Sequence, residues 1–279
     1  MPARPDWAPT RVLSWLYCAP ARRGAVAALY GIEQEIAHSL RPGLDHDVAH
    51  TRLAWWQQEC ERCARGEPTH PLTRTLHSAL APDAHLALAR LDGLVGVAAW
   101  DLSAATFEDE SELGGYCERW SAALMTPLAH LLRSNGAAAP LGLLGAALKQ
   151  LELLCNLAPD ARRGRLRLPL SALAAAQVAP ERLAAGAPWP ESLAQLLQVR
   201  HRQQRLALAA AVGALGGGAQ RALRPLMVWS ALAAGRSRRA QRALPGERAS
   251  GDHHAPLDGY RAWRAAQQAD VGRFRVPVE

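Results

Sequence analysis

The sequence predicts an all-α chain folded as one domain over residues 1–279, and three observations predict it. Alanine makes up about a fifth of the chain, well above ordinary usage, and it is the strongest helix former. Phe (2) and Tyr (4) are scarce, and Val and Ile form no alternating runs, which argues against a sandwich or barrel. Apolar residues recur at three- and four-residue spacing, in segments parted by short Pro- and Gly-marked breaks. With 279 residues, 49% of them hydrophobic, the chain can bury a full-sized core.

The elements follow in order. Residues 22–40 carry Val26, Leu29, Ile36 and Leu40 at helical spacing, and Glu33 falls on the same stripe. A carboxylate there needs a partner or a water-filled cavity, or else sits at the rim. Residues 48–65 form a second helix with Leu53, Trp56, Cys60 and Cys63 on its buried face, ended by Gly66-Glu67-Pro68. Trp55 and Trp56 read as rim and core packing. Two helices follow at 71–80 and 83–101, with Asp83 as an N-cap. Residues 110–132 make another, with Pro127 as a kink or first-turn residue.

The helix over 141–156 is the most informative. Leu144, Leu148, Leu151 and Cys155 form its apolar stripe, and Gly145, Lys149, Glu152 and Asn156 run beside them as a polar one. Asp160 continues the polar stripe if the helix survives Pro159. A dense basic turn, Arg162-Arg163-Gly164-Arg165-Leu166-Arg167, comes next. Helices over 191–215 and 219–240 are separated by Gly216-Gly217-Gly218. Residues 245–256, with His253-His254, read as a loop before a last helix over 257–269.

The net charge is +7, nearly all of it Arg, with Lys149 the single lysine. Such charge suits an anionic ligand, an acidic partner or a membrane surface. Nucleic acid is not expected, since there is no basic tail, zinc-finger spacing or RNP-like motif. Five cysteines at irregular positions suggest a reducing, cytoplasmic setting. Cys60 and Cys63 form a CxxC with no second ligand pair, which reads as a helix-face pair rather than zinc. His46 and His50, beside Asp45 and Asp47, read as a surface cap rather than a metal site. No unbroken run of eighteen apolar residues occurs, so no membrane-spanning helix is expected. Dinucleotide, P-loop, nucleophile-elbow and zincin motifs are absent.

Several segments, in order, resemble the squalene/phytoene synthase family. Arg11-Val12-Leu13, Ala19-Pro20-Ala21-Arg22-Arg23 and Ala28-Leu29-Tyr30 are similar to its first helices. Arg52-Leu53-Ala54-Trp55-Trp56, then Gly66-Glu67-Pro68-Thr69-His70-Pro71-Leu72, resemble its "RLxWWxxEL…GxPxHPL" segment. Asp101-Leu102 and Glu112-Leu113-Gly114-Gly115-Tyr116-Cys117 resemble "DL…ELxxYC". Leu144-Gly145-Ala146-Ala147-Leu148, Asp160 to Arg165 and Leu168-Pro169 resemble its second signature. The resemblance implies an isoprenoid (terpenoid) synthase helical fold with a central cavity. It also implies head-to-head joining of prenyl diphosphates, with Mg²⁺ on Asp-rich motifs neutralising the leaving diphosphate.

The chain departs from that pattern where the metal sits. Ala37, His38 and Arg41 stand at the first motif's three Asp positions, with Gln34 where an Arg is usual. Asn156 and Asp160 stand at the second motif, preceded by Lys149, Glu152 and Cys155, and Arg167 replaces a Tyr. Glu35-Ile36-Ala37 is similar to the branch of the family that assembles respiratory complex I.

The resemblance therefore implies a catalytically impaired pseudo-synthase that binds a prenyl or lipid ligand, or a protein partner such as a respiratory complex. Peripheral contact with an inner membrane and no cofactor are part of that expectation. The alternative is an active Mg²⁺-dependent prenyl transferase with an altered metal site, Asn156 and Asp160 among its ligands. The expected cavity residues are Leu29, Glu33, Ala37, His38, Leu148, Lys149, Glu152, Asn156 and Asp160. Arg162, Arg163 and Arg165 are phosphate-binding candidates, or else a solvated basic turn.

Overall fold

A computed structural model describes residues 7–41, 43–103, 106–134, 138–185, 187–246 and 257–278. Most of the 245–256 loop expectation, including His253 and His254, lies outside the described residues. Among the described residues no strand forms, and an isolated bridge joins Thr106 to Leu166.

The helices are α1 (Pro9–Leu16), α2 (Pro20–Ala37), α3 (His46–Arg65), α4 (Pro71–Leu80), α5 (Ala84–Leu88), α6 (Gly93–Ser103) and α7 (Glu110–Leu131). They continue as α8 (Ala138–Cys155), α9 (Leu157–Arg162), α10 (Leu170–Ala175), α11 (Pro180–Ala184) and α12 (Glu191–Gly213). The last are α13 (Gly217–Ala222), α14 (Arg224–Ala243) and α15 (Asp258–Asp270).

Local chemistry sets the boundaries. Proline opens α1, α2, α4 and α11, where its missing N–H is not needed. Asp45 caps α3 by accepting from the N–H groups of Asp47 and Val48, and Asp109 caps α7 in the same way. Gly66 ends α3 in the left-handed region at φ 87°.

Three expectations are corrected. The segment 83–101 divides into α5 and α6, and the Asp83 side chain makes no capping bond. The segment 219–240 is interrupted at Leu223, between α13 and α14. Helix α1, for which periodicity gives no element, packs against α14. Pro127 lies buried in the interior of α7. Cys60 and Cys63 are free thiols on the buried face of α3, and burial pushes Cys63 up to about 12.

The main core is shared by α2–α8 and α12–α15, with α8 packed against α7, α12 and α14. A second apolar cluster joins the end of α8 to α9, α10, α11 and the start of α12. By length and composition α8 is apolar enough to cross a bilayer, but half of it is buried and it carries Lys149 and Glu152.

Gly145 explains the close approach of α7 and α8. A Cβ at this position would lie 2.1 Å from Ser121 Oγ, 2.9 Å from Ser121 Cβ and 2.6 Å from Met125 Cγ. Gly145→Ala is expected to lose about 1–3 kcal/mol despite the better helix propensity of Ala. Ser121→Gly in the same chain should recover part of that loss. Urea midpoints of the single and double variants check it, and an unchanged single variant would mean that α7 and α8 can part freely.

A buried polar joint ties α12 to α14. His201, 2% exposed, places Nδ1 2.9 Å from Ser237 Oγ, to which Arg205 donates at 3.0 Å. Burial, then the charge of Arg205, holds the imidazole down at about 4. The unfolded chain takes that proton near pH 6.5, so the stability is full above that pH and is lost as the pH falls toward 4. Wild type is expected to lose on the order of 3 kcal/mol through that window relative to His201→Gln. Parallel stability profiles for the two chains would refute this.

Candidate functional site

A cavity of about 450 Å³ opens between α1, α2, α8, α9 and α14. Each helix contributes one face. Helix α2 supplies Tyr30, Glu33, Gln34 and Ala37, three to four residues apart. Helix α8 supplies Leu148, Lys149, Leu151, Glu152 and Cys155, which are its apolar and polar stripes side by side. The chain turns at Asn156 and resumes as α9, and this turn keeps Asp160 on the cavity beyond Pro159. Helix α14 adds Trp229, Ala233 and Arg236.

Arg11 of α1 lines the cavity and is 8% exposed. Its guanidinium donates to both oxygens of Glu33 and, at 3.4 Å, to Glu152 Oε2. The rings of Trp229, Tyr30 and Trp120 surround it at 5.0, 5.5 and 5.6 Å. Trp120 Nε1 donates to Glu33 Oε1 at 2.7 Å, and Lys149 Nζ donates to Glu152 Oε1 at 2.9 Å. Two acids and two bases thus form a closed quartet, and every carboxylate oxygen in it already accepts a hydrogen bond.

The electrostatics follow from that pairing. Burial works against the charges of Arg11 and Lys149. Their carboxylate partners outweigh it and hold both above their ordinary range. Burial also works against the Glu152 carboxylate, but Lys149 and Arg11 pull it down to about 2. Burial lifts Asp160 above its ordinary value against the pull of Arg167 and Lys149.

The candidates at the second metal motif face arginines. Asn156 Oδ1 accepts from Arg236 Nη2 at 2.7 Å. Asp160 lies 3.7 Å from Arg167 Nε, while Arg167 Nη1 binds Asp101 at 2.7 Å. Tyr116 also donates to Asp101, at 3.2 Å. Among the described residues no group of three His, Cys, Asp or Glu is placed to hold a metal ion. His46 and His50 are exposed, with Nε2 atoms 3.0 Å apart, one turn from each other at the start of α3.

Most of the expected cavity residues come together: Glu33, Ala37, Leu148, Lys149, Glu152, Asn156 and Asp160 all line it. Leu29 does not, because it turns wholly into the core. His38 leaves the helix in a 3₁₀ turn and is exposed away from the cavity. In the basic turn Arg163 reaches the cavity, while Arg162 and Arg165 do not line it. Helical spacing does not identify Arg11, Trp120, Trp229 or Arg236. Arg11 and Trp229 face the cavity from α1 and α14, and the pairing of α1 with α14 brings them together.

The pattern of the squalene/phytoene synthase family matches residues 7–259. Squalene synthase HpnC from Alicyclobacillus acidocaldarius has a similar structure, with TM-score 0.67 and 14% identity, over 82% of this chain and 87% of that one. A dehydrosqualene synthase in complex with ligand is also similar, with TM-score 0.74 and 15% identity, over 93% of this chain and 90% of that one. No curated protein sequence matches the chain. At these identities the likeness establishes the fold, the all-α isoprenoid synthase fold with its cavity between helices.

Proposed function

The chain belongs to the squalene/phytoene synthase family, and on that premise we propose that it binds one anionic amphiphile, a prenyl phosphate or a lipid, without Mg²⁺ and without turning it over. The observation that carries this reading is the closed quartet of Arg11, Glu33, Lys149 and Glu152. Mg²⁺ needs near-octahedral oxygen at 2.0–2.1 Å. The oxygens of Glu33 and Glu152 are held by an arginine, a lysine and an indole, and Asn156 is held by Arg236. This donor set does not fit the ion.

What the chain's own residues can do is bind. Tyr30, Leu148, Leu151 and Trp229 give the cavity an apolar wall for a hydrocarbon tail. Arg163 and Arg236 stand at the same cavity as fixed positive charges for a phosphate or carboxylate head. Ionisation of a prenyl diphosphate also requires the charge of the leaving diphosphate to be neutralised as it develops. Here two of the cations that line the cavity, Arg11 and Lys149, are already paired with Glu33 and Glu152.

Isothermal titration with farnesyl diphosphate, with and without Mg²⁺, tests the reading alongside a product assay on the same sample. Binding that is indifferent to Mg²⁺, with no product, is expected. Mg²⁺-dependent binding with turnover would overturn it and make Glu33, Glu152, Asn156 and Asp160 the replacement ligands.

A further inference from the structure

The outer face of α15 carries large apolar side chains among its polar ones, Arg264, Gln267 and Asp270. Ala262, Ala265, Ala266 and Ala269 are buried, and α15 packs on α14. Leu257, Tyr260 and Trp263 follow one another at three-residue spacing on the outside, 59%, 57% and 52% exposed. The Tyr260 and Trp263 rings lie 5.8 Å apart, and Val271 is exposed just past the helix end. Small residues are inside, and large apolar ones share the outside with polar groups, more apolar surface than a soluble helix ordinarily exposes.

The same region gathers positive charge. Arg202 comes from α12, Arg238, Arg239 and Arg242 from α14, and Arg261 and Arg264 from α15, while Arg205 of α12 is buried. Asp258 is set among them, taking Arg239 at 3.0 Å and Arg261 at 2.8 Å. The arginines are close enough to repel. Burial, then Arg261, Arg242 and Arg239, pushes Arg238 below its ordinary value. Burial, then Arg238, Arg202 and Arg242, does the same to Arg205. The Arg261 side chain lies 3.6 Å from where a Cβ on Gly235 would stand, which ties the charged end of α14 to the aromatic helix.

We propose that this face, α15 with the adjoining arginines of α12 and α14, docks the protein on an anionic lipid bilayer. Tyr and Trp settle at the level of lipid headgroups, and arginines meet anionic phosphates there. An apolar strip on a helix rimmed by basic residues is the composition of an interfacial helix. Leu257 and Val271 on the same surface favour lipid over nucleic acid, which offers aliphatic side chains little to bind.

The test uses the full chain and sedimentation with vesicles of phosphatidylcholine, alone or with about 30% phosphatidylglycerol. Binding to the anionic vesicles is expected, with release by about 0.5 M salt. Binding to phosphatidylcholine alone should be at least about tenfold weaker. Tyr260→Ser with Trp263→Ser, and separately Arg242→Glu with Arg264→Glu, should each weaken binding about tenfold. The melting curves of these variants should be unchanged, because all four side chains are exposed. Brominated acyl chains should quench the wild-type tryptophan emission more than that of Trp263→Phe. Equal binding by wild type and both double variants would place membrane contact elsewhere and overturn the proposal. No partitioning onto anionic vesicles would also overturn it, and would leave the face to an acidic protein or a second copy.

Discussion

Arg11→Met is expected to lower the unfolding free energy by about 3–5 kcal/mol, the largest effect of any single substitution in the cavity. The quartet of Arg11, Lys149, Glu33 and Glu152 sums to zero charge. Removing Arg11 leaves Glu152 paired with Lys149, while Glu33 keeps only the indole N–H of Trp120. A largely enclosed carboxylate with no cation hydrogen-bonded to it is costly, and the aromatic box around Arg11 loses its occupant as well. Glu33→Gln in the same chain restores neutrality, so the double variant should lose less than Arg11→Met alone. Urea unfolding of the four chains closes the cycle. A loss below about 1 kcal/mol for Arg11→Met would mean that the guanidinium exchanges with water rather than holding the site.

Glu59→Ala is expected to cost a similar amount, about 3–5 kcal/mol, and to lower Tm by about 10 °C. Glu59 is fully buried on α3 and accepts from the backbone N–H groups of Thr69 and His70, from the hydroxyls of Thr69 and Thr73, and from Arg62. It holds the turn between α3 and α4 in place. Burial works against the charge, but those hydrogen bonds outweigh it and hold the carboxyl at about 2. The unfolded value is near 4.5, so this stability is full above that pH and is lost as the pH falls toward 2. Glu59→Gln should therefore flatten the acid limb of the stability profile as well as lower its plateau. An acid limb of unchanged slope in Glu59→Gln would show that another carboxylate sets it. Farnesyl diphosphate binding should be unaffected in either variant, because Glu59 does not line the cavity.

The helices were legible where a stripe met a clear stop. Residues 71–80 match α4 from end to end, and Gly66 and Pro71 bracket the turn before it. Glu33 is legible because a carboxylate on an apolar stripe is conspicuous, and Glu152 because it belongs to a polar stripe running beside an apolar one, and both reach the cavity. The break at 89–92 was not, since alanine and leucine run through it with no proline to mark an end. Arg11 was not identified as a site residue because an arginine on a short helix normally points to water. Its inward course depends on α14 and on three aromatic rings from α2, α7 and α14. The meaning of Glu59 was hidden for a related reason. Apart from Arg62, its partners lie ten to fourteen residues away, in the turn and at the start of α4, beyond the reach of helical spacing.

The quartet also bears on inheritance. A site that gathers carboxylates for a metal is tense while the metal is away, and its residues are kept by selection on the reaction. Here the same helices meet through matched opposite charges, so selection on folding alone suffices to keep them. Loss of one member exposes the others, and a second change must follow to relieve the first. Among descendants of this chain, positions 11, 33, 149 and 152 should therefore change together or stay fixed together, while positions 37 and 38 drift singly.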